Sequence, residues 1–376
     1  MLDLSTDHPA CICDLPTELI ERIFSHACTD GGYTGRSLSL VSKCAHRAAR
    51  TVRFRNVALS GHRQIEAFLN LLEKERVVAP IHVSNLYIST WTDGEEITKV
   101  RDGQSPRWEG LHPYLPTPIP TDPHWRVWLT LQEAVDKKIA ELIYRLLLRV
   151  APALRALSVV HSWEFRAIQF PPCFPFLTDL TFCGPPPHMP CKVSSSPLPP
   201  RLPDLRRLHI ICWNASISSW TYHAPAITFL RLSDVTHSAY TLPCELQSQI
   251  GSFGQGSHPT FAPKHRFLQH IRIQPRGVPL SWLGTPDAGL DFLAKLQRVQ
   301  PHPGIHLELL EDRVYRYGYW EDRIKQDWLD AIVSAPGWWV DGEVREEGDE
   351  AEIPMSEDDE DPVVTEHQLS HWAQQL

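Results

Sequence analysis

The feature that most constrains this chain is a short phrase that returns five times. An apolar residue is followed by two others and then by an apolar–other–apolar triplet. The copies are Leu154-Arg-Ala-Leu157-Ser-Val159, Leu177-Thr-Asp-Leu180-Thr-Phe182, Leu205-Arg-Arg-Leu208-His-Ile210, Ile227-Thr-Phe-Leu230-Arg-Leu232 and Leu268-Gln-His-Ile271-Arg-Ile273. Each closing triplet has the alternation of a strand that turns one side inward. Pro152, Pro175, Pro203 and Pro225 precede four of the copies and reset the chain before the strand.

The copies begin 23, 28, 22 and 41 residues apart. Spacings of roughly 20–29 residues are those of leucine-rich repeats, and the longest interval implies an inserted segment. One such unit buries too little apolar surface alone, so neighbours must stack into a continuous core. The sequence therefore predicts an α/β chain: an irregular leucine-rich-repeat-like solenoid of adjacent parallel strands over about 63–340. Proline, at 33 of 376 residues, is well above the usual share of roughly 5% and favours short elements.

Three helices accompany the array. Ile65, Phe68, Leu69, Leu71 and Leu72 predict one over 62–76, followed by a strand over 81–88. Residues 91–123 are charged and then proline-rich, and read as a flexible insertion. Trp128, Leu131, Val135, Ile139, Leu142, Leu146 and Val150 predict a long amphipathic helix over 125–150. Trp320, Ile324, Trp328, Leu329 and Ile332 predict a last helix over 320–333, expected to cap the open end of the array.

Charge and cysteine content narrow the functional classes. Residues 341–361 hold 12 acids and one base, a local charge of −11 within a total of −9. The rest of the chain is close to neutral, which offers no general drive toward nucleic acid or a membrane surface. The acidic segment, 341–376, reads as a disordered tail. The nine cysteines include no CxxC pair, so reduced thiols in the cytoplasm or nucleus are expected. The first residues lack the basic and apolar regions of a signal peptide, and no stretch of about 18 apolar residues predicts a membrane span.

Ahead of the array, Leu19, Ile20, Ile23, Phe24 and Ala27 predict a helix with Pro16 in its first turn. Gly31, Gly32 and Gly35 break it, and short helices follow from Ser37 and from Lys43 to Arg50. Three short helices in some 45 residues form too small a core for an ordinary domain, so such a unit packs against something else. Leu15-Pro16, Leu19-Ile20, Ile23-Phe24, Ser39-Leu40-Val41-Ser42-Lys43 and Arg53-Phe54 with Val57 resemble the F-box pattern, as found in mushroom-forming fungi. The resemblance implies a three-helix F-box-like module over 10–62. It also implies an F-box-type substrate receptor, which links a target protein to an SCF ubiquitin ligase through a Skp-type adaptor. Leu15, Pro16, Leu19, Ile20, Ile23, Phe24, Leu40 and Val41 would form the adaptor-binding surface or its supporting core. A non-ligase interaction scaffold built on the same module is the alternative.

Three strand phrases run into tryptophan, at Trp91, Trp163 and Trp213. These are the candidate target-binding residues, and the sequence leaves open whether each indole lines a rim or packs under its own loop. Lys43, His46, Arg47, Arg50, Arg53 and Arg55 form a basic cluster without interleaved stacking aromatics. No GxxxxGK[ST], GxSxG or HExxH motif occurs, and Cys183, His188 and Cys191 fall short of a four-ligand zinc spacing. The expectation is a chain that is not an enzyme, with no cofactor, no metal, no nucleic-acid partner and no membrane partner.

Overall fold

The computed structural model describes residue 12 and residues 15–75, 81–90, 123–161, 167–188, 199–211, 217–236, 239–250, 267–276, 286–311 and 319–333. The expected insertion and acidic tail lie almost wholly outside these residues.

Three helices open the chain: α1 (Thr17–Ala27), α2 (Tyr33–Val41) and α3 (Lys43–Ala49). Pro16 sits at the N-cap of α1, with Glu18 in the first turn and His26 in the last, as the helix dipole favours. The α1–α2 turn uses Gly31 and Gly32, whose φ of 76° and 110° suit residues without a Cβ. The Asp30 carboxylate accepts from the Thr34 N–H at 2.9 Å and the Thr34 hydroxyl at 2.6 Å, anchoring the start of α2. Ser42 ends α2 in extended backbone, and its Oγ accepts the Ala45 N–H at 3.0 Å to cap α3.

One expectation fails here. Gly35 does not break the chain but lies buried inside α2, which starts four residues earlier than expected. A Cβ at that position would stand 2.8 Å from the Arg53 Cα. The missing side chain serves close packing, not a turn.

Eight strands follow: β1 (Asn56–Ser60), β2 (Asn85–Ser89), β3 (Ala156–Val160), β4 (Asp179–Cys183), β5 (Arg207–Ile211), β6 (Phe229–Val235), β7 (His270–Pro275) and β8 (His306–Leu309). They form one parallel sheet in strict chain order. The chain is thus of the α/β class. The five phrases supply β3 to β7, and their apolar positions align. One row runs Val57, Leu86, Leu157, Leu180, Leu208, Leu230, Ile271 and Leu307; a second runs from Leu59 through Phe182 to Leu309.

These rows define the first face, and the crossover connections cover it. Helix α4 (Gly61–Glu75) contributes Ile65 and Leu69, and α5 (Pro123–Val150) contributes Ile143, Leu146 and Leu147. Then α6 (Ile217–His223), α7 (Leu242–Ile250) and α8 (Pro286–Gln297) add Trp220, Leu246 and Leu296. Between β3 and β4 the same layer is filled by Phe170 and Phe174, whose rings meet edge to face at 5.5 Å. β6 carries a register shift between Leu232 and Val235, where Asp234 takes a φ of 57°.

The second face is apolar at its C-terminal row. Val160, Cys183 and Ile211 join Tyr87 under the last described helix, α9 (Tyr319–Val333), which brings Ile324 and Trp328. The sequence predicts α9 as an end cap, whereas it lies on this face and contacts β2 and β3. The cause is legible in the doublets Tyr87-Ile88, Val159-Val160, Phe182-Cys183 and Ile210-Ile211. A parallel strand buried on both sides carries apolar residues consecutively.

The first strand is bound tightly to the helical module. Asn56 Nδ2 donates to the Cys28 carbonyl at 2.7 Å, and Asn85 Nδ2 donates to Asn56 Oδ1 at 2.6 Å. The Ala58 N–H donates to the Gly31 carbonyl at 3.1 Å. A Cβ on Gly31 would lie 2.8 Å from the Ala58 Cβ and 3.5 Å from the Trp328 ring. β1 therefore belongs to the sheet, although the expected module boundary falls after it.

Candidate docking surface

Helix α1 is apolar on two adjacent stripes, because Leu19 and Ile20 differ by about 100° around its axis. Ile20 and Phe24, each 4% exposed, point inward onto Ala45, Ala48, Ala49, Val52 and Cys28. All members of this cluster precede β1, so the module holds a small core of its own. Alanines on α3 suit it, because small side chains let α1 approach closely.

The other stripe faces solvent. Leu15, Leu19 and Ile23 follow at intervals of four and are 39%, 47% and 45% exposed. Pro16 beside them is exposed. On the neighbouring helix α2, the last turn leaves Leu40 and Val41 exposed. Of the eight residues expected at an adaptor interface or its support, six stand outward and Ile20 and Phe24 form the base. Single exposed apolar residues are ordinary on protein surfaces. Two in register on one helix, with Leu15 just ahead of it and two more ending the next, leave apolar surface that water covers at a cost.

Basic side chains follow Leu40 and Val41 along the chain. Lys43, His46, Arg47 and Arg55 are exposed and Arg50 is partly buried. Arg53 instead lies with its guanidinium 4.4 Å above the Phe54 ring. Burial pushes the Cys28 thiol above its ordinary value, and the Asp30 charge adds to this. Cys28 is thus a poor nucleophile and acts as a core residue.

Trp91, Trp163 and Trp213 lie outside the described residues. The strands they follow, β2, β3 and β5, end in matched register at Ser89, Val160 and Ile211.

Sequence reasoning missed the polar cluster between α9 and the second face. Ser89 Oγ donates to Glu321 Oε1 at 2.6 Å, and the Tyr87 hydroxyl donates to the Glu321 carbonyl at 3.3 Å. His209 Nε2 lies 2.9 Å from Ser233 Oγ, and the His209 ring meets Trp320 edge to face at 6.3 Å. Burial lowers the His209 imidazole well below its ordinary value, and the charges of Arg231 and Arg323 push the same way. Burial raises the Asp327 carboxyl against the pull of Arg323, whose Nε is 3.0 Å away. Ser233 and His209 are enclosed at 0% and 1% exposure, so this pair meets no substrate in the structure described. The signal was present in the unmatched middle position of the repeated phrase, occupied by His209 in one copy and Arg231 in the next.

An open trough of about 470 Å³ at the β7–β8 end is lined by Gln269, His270, Gly304, Ile305 and His306, without a carboxylate. Among the described residues no three of His, Cys, Asp or Glu gather as metal ligands. No described helix is long and apolar enough to cross a membrane.

Comparison with models of protein families, with curated proteins and with solved structures finds no match to this chain.

Proposed function

We propose that this chain is an F-box-type substrate receptor: α1 to α3 dock on a Skp-type adaptor, and the sheet-bearing body selects a target protein. In this reading the body is an irregular leucine-rich-repeat-like solenoid, and ubiquitin is transferred by the ligase while the chain itself makes and breaks no bond. Its contribution is effective concentration, since tethering turns a bimolecular encounter into an intramolecular one.

The observation that carries the proposal is the outward pair Leu19 and Ile23 on a helix whose other stripe is already packed, with exposed Leu15 just ahead of it. Full burial of a Leu or Ile side chain contributes about 1.5–3 kcal/mol. Two or three such anchors, ringed by polar contacts, suffice to dominate an interface. The sequential parallel sheet supports the body's role, because stacked repeats present long surfaces to protein ligands.

The test is co-purification of the full chain with a Skp-type adaptor. Leu19→Asp and Ile23→Asp should each weaken capture at least about thirtyfold, the equivalent of about 2 kcal/mol. The variants' thermal unfolding should match that of the parent. Failure of the parent chain to hold the adaptor, or undiminished capture by both variants, refutes the reading.

A further inference from the structure

The second face of the sheet is occupied by a segment of the chain that the main core does not need. The first-face core and the α9 cluster are separate sets of residues. Removing α9 would uncover Tyr87, Val160, Cys183 and Ile211 but would leave every first-face contact in place. By contrast, α4 to α8 are built into the core itself.

The seat of α9 is also incompletely satisfied. Trp328 Nε1 is buried with no hydrogen-bond partner among the described residues. Glu321 and Asp327 are carboxylates at 9% and 8% exposure. A buried donor without a partner and buried carboxylates both carry a desolvation cost. Elements held by such contacts open at lower free energy than a purely apolar layer.

What α9 presents defines what the face accepts. Trp320, Ile324 and Trp328 follow at intervals of four and reach His209, the apolar row and Tyr87. Glu321, next to Trp320, accepts from Ser89. This is the helix-in-groove pattern of recognition, with bulky anchors one turn apart and one polar contact fixing the register.

We propose that the second face is a helix-binding surface and that α9 is its resident occupant. A partner's amphipathic helix, with large apolar side chains at i, i+4 and i+8 and a carboxylate at i+1, takes its place. This assigns the target-recognition surface of the receptor reading and rests on that reading for its purpose. Its geometry is independent of α1. In the resting chain the surface is masked, and a partner's apparent affinity falls by the fraction of molecules in which α9 is released.

The experiment uses the full chain and a fluorescent peptide of residues 319–333 as probe. In the double variant Ile324→Asp, Trp328→Asp, α9 is released while the face is unaltered. The variant should keep a cooperative thermal transition and bind the peptide at least about tenfold tighter than the parent. Hydrogen exchange on the parent should show amides of 319–333 opening more readily than those of β2 to β5. The proposal is overturned by loss of cooperative unfolding in the variant, by a folded variant that ignores the peptide, or by equal binding to the parent. Equal protection of α9 and the strands overturns it too. None of these readouts involves the adaptor, so this proposal and the adaptor proposal fail separately.

Discussion

Gly31 joins three parts of the molecule at a single backbone position. Its φ of 76° disfavours any side chain, and the space a Cβ would need is taken by Ala58. Gly31→Ala should destabilise the protein by about 2 kcal/mol or more, read as a lower urea midpoint with unchanged slope. An unchanged midpoint would mean that the joint between module and sheet is slack. His209 gives a second prediction. Its folded value lies well below 6.5, so the unfolded chain binds the proton more readily. Stability is then lost as pH falls below about 6.5, and His223, also lowered by burial and by Arg201, adds to that loss. Asp327 acts with the opposite sign, since its raised carboxyl favours the protonated folded state. Urea titrations at pH 7.5 and 5.5 should show the acid loss, and His209→Gln should reduce it. An unaltered pH slope in that variant would remove His209 from the account.

Helix α1 buries one apolar stripe and exposes the adjacent one. Phe24→Ala should cost about 3–5 kcal/mol, because it empties the small core against α3. Leu19→Ala should change stability by no more than about 0.5 kcal/mol, because Leu19 is about half exposed among the described residues. Equal costs in chemical denaturation would show that both stripes are structural. Hydrophobic spacing announced α1, α4 and α5, since each has apolar residues recurring every three or four positions. It could not tell the inward Ile20 and Phe24 from the outward Leu19 and Ile23, because burial depends on where α3 sits. The short helices α6 to α8 were hidden in the connections: α7 has Pro243 near its start and α8 begins at Pro286, which read as loop punctuation.

At the scale of the molecule, the repeated phrase announced β3 to β7 and their parallel order. The same phrase stands at Phe54-Arg-Asn-Val57-Ala-Leu59 and Val83-Ser-Asn-Leu86-Tyr-Ile88, where β1 and β2 form. The first of these was absorbed into the reading of the helical module. The copy at β8 begins with Gly304 in place of an apolar residue and was missed for that reason. The seat of α9 was not legible, because amphipathic spacing shows that a helix has a buried side but not which surface buries it.

Because β1 lies ahead of residue 62, shortening the chain at that point would do more than remove three helices. The backbone N–H and C=O groups of Asn85–Ser89 that now meet β1 would become a bare strand edge. Such an edge recruits any extended chain in solution. A fragment starting at residue 63 should accordingly self-associate in light scattering as its concentration rises, while the full chain stays dispersed. The segment ahead of residue 63, through β1, thus guards the fold against its own copies.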